Sequence, residues 1–258
     1  NPAKAAGILS GDILYKVNGE EVYTLNTDEI ANKIRGEAGT EVTVTVVRDG
    51  KELDFTMTRE KINNVSAYVE YDGDTAIITV SRFDTDTGTM VKKFAKELVG
   101  KGSKKVILDL RGNGGGYVSA AKDLLSLWID GQTVLIQKSK LDKDSTTTTN
   151  KNEAILENMK TIVLVNGSSA SASEIVVGAL KDYNKATVVG ETTFGKGVGQ
   201  TLLDLSNGTL LKVTTAHWYT PNNNSINGTG IKPDIEIVNT YDDINANRDP
   251  QMDKAKEL

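Results

Sequence analysis

Apolar residues recur along this chain with two different rhythms. Up to about residue 60 the rhythm is short and alternating. In "TEVTVTVVRDGKELDFTM", Val42, Val44 and Val46 alternate with threonines before a turn at Asp49-Gly50, the period-two pattern of a half-buried strand that enters a hairpin. "GILSGDILYKVNGEEV" places a short apolar strand before a second turn, Asn18-Gly19. Between them "NTDEIANKIRG" has a cap at Asn26 or Thr27, apolar Ile30, Ala31 and Ile34 on one helical face, and Gly36 as terminator.

From residue 61 onward, continuous apolar runs alternate with helical spacing. "TAIITV", "KVILDL", "TIVLVN" and "ATVVG" are too short for helices and too uniformly apolar for one-sided strands, so they predict strands covered on both faces. "TGTMVKKFAKELVGKG" repeats Met90, Phe94 and Leu98 before Gly100, and "SEIVVGALKDY" follows the third run; both read as helices. The pattern predicts an α/β domain over 61–258 behind a small β-rich unit over 1–60. The polar stretch "DKDSTTTTNKNE" reads as an exposed loop.

Composition narrows the chemistry. The net charge of −5 is spread along the 258 residues without a basic cluster, so nothing predicts nucleic-acid binding. The absence of cysteine removes disulfides, thiolate metal sites and a cysteine nucleophile, and the single histidine, His217, nearly removes histidine-rich metal sites. No apolar run approaches the roughly 20 residues of a spanning helix, and Asn1 does not open a charged-then-apolar signal segment.

Strands of such a sheet deliver functional groups at their C-terminal ends, which directs attention to three junctions. "LDLRGNGGGY" puts glycines at 112 and 114–116 after a strand, where backbone N–H groups can converge on a negative oxygen or simply make a flexible turn. "VNGSSASASEI" crowds serines into the start of a helix. Ser171 and Glu174 fit a capping box, yet a hydroxyl there also sits at the positive end of the helix dipole, where an oxyanion is favoured. "GETTFGKGVGQ" resembles a phosphate-binding loop but has Gly197 where a magnesium-binding hydroxyl belongs, and a strand-like "VGQTLLDL" where a helix should follow. Flanked by Phe194 and Val198, Lys196 is expected to be desolvated, which lowers an amine's pKa and makes it a usable base. If "KGVGQ" is extended, Gln200 shares its face and orients the amine. His217 lies in the strand-like "LKVTTAHWYT" with no mark of a site, and Asp182 lies roughly 16 Å along a helix from Ser171.

These blocks carry a resemblance. "LDLRGNGGG", "NGSSASASEIVVGALKDY", "GETTFGKGVGQ" and the closing "SINGTGIKPDIEI…DPQMDKAKEL" are similar to the carboxyl-terminal processing, or tail-specific, proteases, and the first 60 residues resemble a PDZ domain. The resemblance implies a peptidase core related to the Clp protease and crotonase superfamily. It assigns Ser171 as nucleophile, Lys196 as general base and Gln200 as the residue that positions it. It also places an oxyanion hole at the amide of Ala172 and one of the pair Gly115 and Gly116, with Gly114 standing where the family usually has proline. It implies protein or peptide substrates recognised by exposed C-terminal tails, no metal or other cofactor, an extracytoplasmic location in the bacterial cell envelope, and a homodimer formed through regions outside this sequence. The PDZ resemblance starts after the strand and carboxylate-binding loop that would precede "NPAKAAG", so the groove is expected to be partly truncated. The rival from another class is a proteolytically silent, PDZ-type peptide-binding regulator.

Overall fold

The computed structural model describes residues 2–9, 11–61, 65–139, 143–206 and 208–258. It divides into two compact units, the first made of residues 1–64 and 239–249, the second of residues 65–238 and 250–258. The expected division at 60/61 falls just ahead of residues 62–64, which lie outside the described residues. Residues 239–249, expected in the α/β domain, group with the small unit instead.

The first unit begins with helix α1 (Pro2–Ala6), followed by β1 (Ile13–Val17), β2 (Glu20–Glu21), helix α2 (Thr27–Ile34), β3 (Glu41–Arg48) and β4 (Lys51–Thr58). The antiparallel sheet has the order β2-β1-β3-β4. Both turns are of the kind the residues demand: Asn18-Gly19 and Asp49-Gly50 have positive φ at both positions (50° and 80°, 52° and 71°), the mirror-image turn that matches strand twist. Asn26 caps α2 in a reciprocal box with Glu29. Val17, Val22, Val42, Val44 and Val46 form the core, with Ile30 and Ile34 of α2 packed against it.

One ion pair in this unit has a pH signature. Arg48 donates through Nε and Nη2, each at 2.6 Å, to the two oxygens of Asp12, whose side chain is 3% exposed. The hydrogen-bonded guanidinium holds the Asp12 carboxyl below its usual range, against the opposing effect of burial. A carboxylate depressed by folding stabilises above its unfolded pKa, and that contribution is lost as pH falls through the folded value. Asp12→Asn is therefore expected to lower the stability of this unit by about 1–3 kcal/mol at neutral pH, with the difference from wild type shrinking below about pH 4. Urea melts of the whole chain at the two pH values measure both.

The second unit runs β5 (Ala67–Asp72), β6 (Thr75–Val80), α3 (Thr87–Gly100), β7 (Lys105–Asp109), α4 (Val118–Leu125), β8 (Thr133–Ser139), β9 (Ser145–Thr148), β10 (Lys160–Val165), α5 (Ala172–Asp182), β11 (Thr187–Gly190), β12 (Val198–Asp204), β13 (Leu210–Tyr219) and β14 (Ile235–Glu236). Helix α6 (Tyr241–Asn245) belongs to the first unit, and α7 (Pro250–Glu257) closes the second. The main sheet has the order β14-β11-β10-β7-β6-β5, parallel except for β5. Alternate residues of its apolar runs supply two different layers. Ala76, Ile78, Val106, Leu108, Val163 and Val188 pack with α3, α4 and α5, while Ile77, Ile107, Ile162, Leu164 and Val189 pack with Ala255 of α7. This is why the runs show no polar alternation.

A second, antiparallel sheet has the order β12-β13-β8-β9. Here the threonine-rich stretch departs from the expected loop: Ser145–Thr148 form β9 and pair with β8. Threonine's branched Cβ favours extended backbone, and composition alone hides that. Asp142, the first residue of the expected loop, lies outside the described residues.

Candidate active site

The three junctions converge because β7, β10 and β11 are adjacent parallel strands, so their C-terminal ends open side by side. The β7 junction is the glycine loop, the β10 junction the serine turn, and the β11 junction the lysine loop. Backbone hydrogen bonds fasten the serine turn to both neighbours: Ala170 N donates to Asn113 O at 3.0 Å and Phe194 N to Ser169 O at 3.0 Å.

Ser171 sits between strand and helix at φ 59°, ψ −115°, a conformation that costs a non-glycine residue on the order of 1–3 kcal/mol and persists where the surroundings enforce it. Strained strand-to-helix turns present the serine nucleophile in α/β-hydrolases. The residue is 8% exposed. Its neighbours are engaged elsewhere, since Ser169 Oγ donates to Leu110 O and Ser173 Oγ to Asn113 O, each at 2.8 Å.

Glu174 is the organising residue. It is fully buried on the first turn of α5. Its carboxylate accepts from Ser171 N (2.9 Å), Lys196 N (2.9 Å), Gly195 N (2.6 Å) and Thr193 Oγ1 (2.6 Å). One arm is the expected capping box; the other three reach across to the lysine loop. Thus one carboxyl group holds the backbones of residues 171 and 196 together. No direct hydrogen bond joins Ser171 Oγ to Lys196 Nζ. Among the described residues, Lys196 Nζ has neither an ion pair nor a hydrogen-bond partner.

Two expectations for this loop need correction. Phe194 is 65% exposed and Lys196 only partly buried, so the enclosure of the amine expected from its sequence neighbours is incomplete. Nor does simple strand alternation put Gln200 on the face of Lys196. Strand β12 starts only at Val198, so Lys196 lies outside the strand alternation, and where β12 passes from Gly199 to Gln200 its partner β13 carries one extra residue, Thr215; Gln200 is exposed. His217 is exposed on β13, and Asp182, at the far end of α5, accepts from Asn222 N at 2.8 Å.

The glycine loop approaches Ser171 closely. A Cβ on Gly115, whose φ is +105°, would lie 2.7 Å from Ser171 Cβ and 3.0 Å from Ala172 N, so a side chain there would occupy the space in front of the helix terminus. The Gly115 N–H is already committed to Asn113 Oδ1 at 2.9 Å. Among the described residues, the N–H groups of Gly116 and Ala172 have no partner. Asn113, fully buried, holds the loop by donating Nδ2 to Val80 O at 2.7 Å.

The "SINGTGI" segment supports the lysine loop from the other side. Gly228 N donates to Gly195 O and Ile231 N to Thr193 Oγ1, each at 2.8 Å. A Cβ on Gly197 would come within 2.6 Å of Asn227 N. The position that a phosphate-binding loop gives to a hydroxyl therefore has no room for one, and the lysine is followed by strand β12 rather than a helix.

This arrangement has known counterparts. The sequence profile of peptidase family S41 matches residues 74–237, and that of a PDZ domain matches residues 2–48. The chain belongs to peptidase family S41. A "Probable CtpA-like serine protease" of Staphylococcus aureus (strain N315) is 42% identical over 92% of this chain, and a protein of the same description from Staphylococcus saprophyticus is 38% identical over 92%. The chain spans 48% of each of these relatives. Among solved structures, the photosystem II D1 C-terminal processing protease aligns with a TM-score of 0.72 and 27% identity, covering 92% of this chain and 66% of that one. The mixed α/β S41 core and the N-terminal PDZ domain are thus the expected fold.

Asn113 and Thr193 were not expected at the site, and Glu174 was expected there only as the capping partner of Ser171. The signal for Glu174 was present in the sequence: it is the one acid in "SEIVVGAL", a helix segment otherwise apolar enough to be buried all round.

Proposed function

We propose that this chain is the core of a serine endopeptidase that works through Ser171 and Lys196 on proteins with exposed C-terminal tails. Lys196, as the neutral amine, takes the Ser171 hydroxyl proton while Oγ attacks the scissile carbonyl carbon. The oxyanion gathers at the N–H of Ala172, the first residue of α5, where the helix dipole adds to the hydrogen bond. Gly116 supplies the second donor, since the Gly115 N–H is held by Asn113. Protonated Lys196 then gives its proton to the leaving amine, and water hydrolyses the acyl-enzyme with the lysine again as base. Gln200, exposed on β12 four residues beyond Lys196, is assigned the positioning of that amine by the family resemblance alone.

The observation that carries the reading is the shared Glu174 carboxylate, which fixes the strained Ser171 against the Lys196 loop. The PDZ-like unit is assigned the capture of the tail. Its cavity of about 310 Å³ is lined by Ala3, Ile34, Val42 and Met57 with Arg35 beside them, chemistry suited to an apolar C-terminal residue and its carboxylate. A cysteine-free chain with this resemblance is assigned to an extracytoplasmic space.

The test is covalent. A fluorophosphonate probe incubated with the chain should modify one residue, Ser171, identified by peptide mapping, and heat-denatured protein should not react. Absence of labelling, or labelling at another serine, would leave only the peptide-binding regulator.

A further inference from the structure

The C-terminal helix buries a polar residue where an apolar one would serve its packing. Gln251, on the first turn of α7, is 1% exposed. A buried carboxamide is costly unless its donors and acceptor are used, and here both ends are. Gln251 Nε2 donates to Ile237 O at 2.7 Å and to Glu191 Oε1 at 3.3 Å, while its Oε1 accepts from Arg111 Nη1 at 3.1 Å.

The partners are not scattered. Arg111 is the residue from which the glycine loop springs, and Asp109, at the end of β7, takes three further donors from it: N and Nε at 3.0 Å and Nη2 at 2.7 Å. Glu191 is the first residue of the lysine loop, its N–H fixed to Val165 O at the end of β10. A single amide therefore spans the roots of the two loops that carry the proposed oxyanion donor and the proposed base. The helix has an independent anchor. Ala255 is fully buried in the core with Ile107 and Leu164, and Lys105 Nζ donates to Ala255 O at 3.3 Å. The amide is therefore not the only contact that holds α7, and its polar chemistry calls for an explanation of its own.

We propose that Gln251 is a positioning residue for the S41 active site: by clamping Arg111 to Glu191 it sets the spacing between the glycine loop and the lysine loop. The inference rests on the Ser171–Lys196 reading above. A displacement of about 1 Å in such a centre is enough to cost on the order of 100-fold in rate, and Gln251 acts on both loops at once.

The experiment compares Gln251→Met, which keeps the length and volume of the side chain without its hydrogen bonds, with Glu191→Gln, which weakens the same clamp from the loop side. Fluorophosphonate labelling of Ser171 in the whole chain is followed to saturation, at a temperature where circular dichroism melts show each variant folded. The maximal labelling rate should fall about 10- to 100-fold in Gln251→Met and less in Glu191→Gln, while the half-saturating probe concentration stays within about twofold. The double variant should be no slower than Gln251→Met alone, because both changes break one clamp. Wild-type rates in a folded Gln251→Met, or losses that simply multiply in the double variant, overturn the proposal. If Gln251→Met does not fold, an unchanged rate in Glu191→Gln overturns it. Wild-type protein that fails to label at Ser171 sinks the parent reading as well; labelled wild type with unaffected variants sinks the clamp alone.

Discussion

Lys196→Arg is expected to abolish turnover as completely as Lys196→Ala, with losses of about 10³-fold or more in kcat and little change in KM. A serine hydroxyl is a weak nucleophile without a group to take its proton, so the base is required in the transition state and not for binding. Arginine keeps the positive charge and most of the length, but it does not deprotonate in proteins, so it separates a base from an electrostatic anchor. Among the described residues, neither His217 nor Asp182 is placed to substitute. His217 is exposed on β13, and Asp182 is engaged by Asn222 N at the far end of α5. Hydrolysis of an unfolded protein with an apolar tail, followed by gel or mass spectrometry over a range of substrate concentrations, measures kcat and KM for each variant. Residual activity in Lys196→Arg near the wild-type level would mean that the amine only binds the substrate or stabilises charge.

Much of this was legible in the chain because it is local. Hairpin turns at Asn18-Gly19 and Asp49-Gly50 are dictated by residues that tolerate positive φ, and the capped helices and doubly covered strands follow from spacing. What escaped depends on which elements become neighbours. Glu174 reads as a capping partner of Ser171 until the adjacency of β10 and β11 brings the lysine loop over it. The enclosure of Lys196 was overestimated for the same kind of reason: a sequence neighbour such as Phe194 need not cover it, and here Phe194 is mostly exposed and Lys196 only partly buried. The Gly115–Gly116 ambiguity was likewise beyond composition, because it turns on where Asn113 directs its side-chain oxygen.

Glu174→Gln is expected to reduce kcat by about 100-fold or more and to cost about 2–4 kcal/mol of stability, although it changes one atom of a residue that touches no substrate. If Glu174 served only the helix terminus, the loss would be that of a cap, about 1 kcal/mol, with the rate unaffected. The geometry argues for more. Both carboxylate oxygens are in use: Oε1 accepts from Thr193 Oγ1 and Gly195 N, and Oε2 from Ser171 N and Lys196 N. An amide offers one accepting oxygen and turns an N–H₂ toward the remaining donors, so at least two buried donors lose their partner, each worth about 1–3 kcal/mol. Part of that strain is relieved if the lysine loop retreats, and the retreat separates the proposed base, Lys196, from the proposed nucleophile, Ser171. Turnover should therefore fall further than stability explains, a difference visible when kcat is measured well below the variant's melting temperature. Equal rates in a destabilised but folded Glu174→Gln would show that the loops hold their spacing without the shared carboxylate, and would remove the structural basis for pairing Ser171 with Lys196.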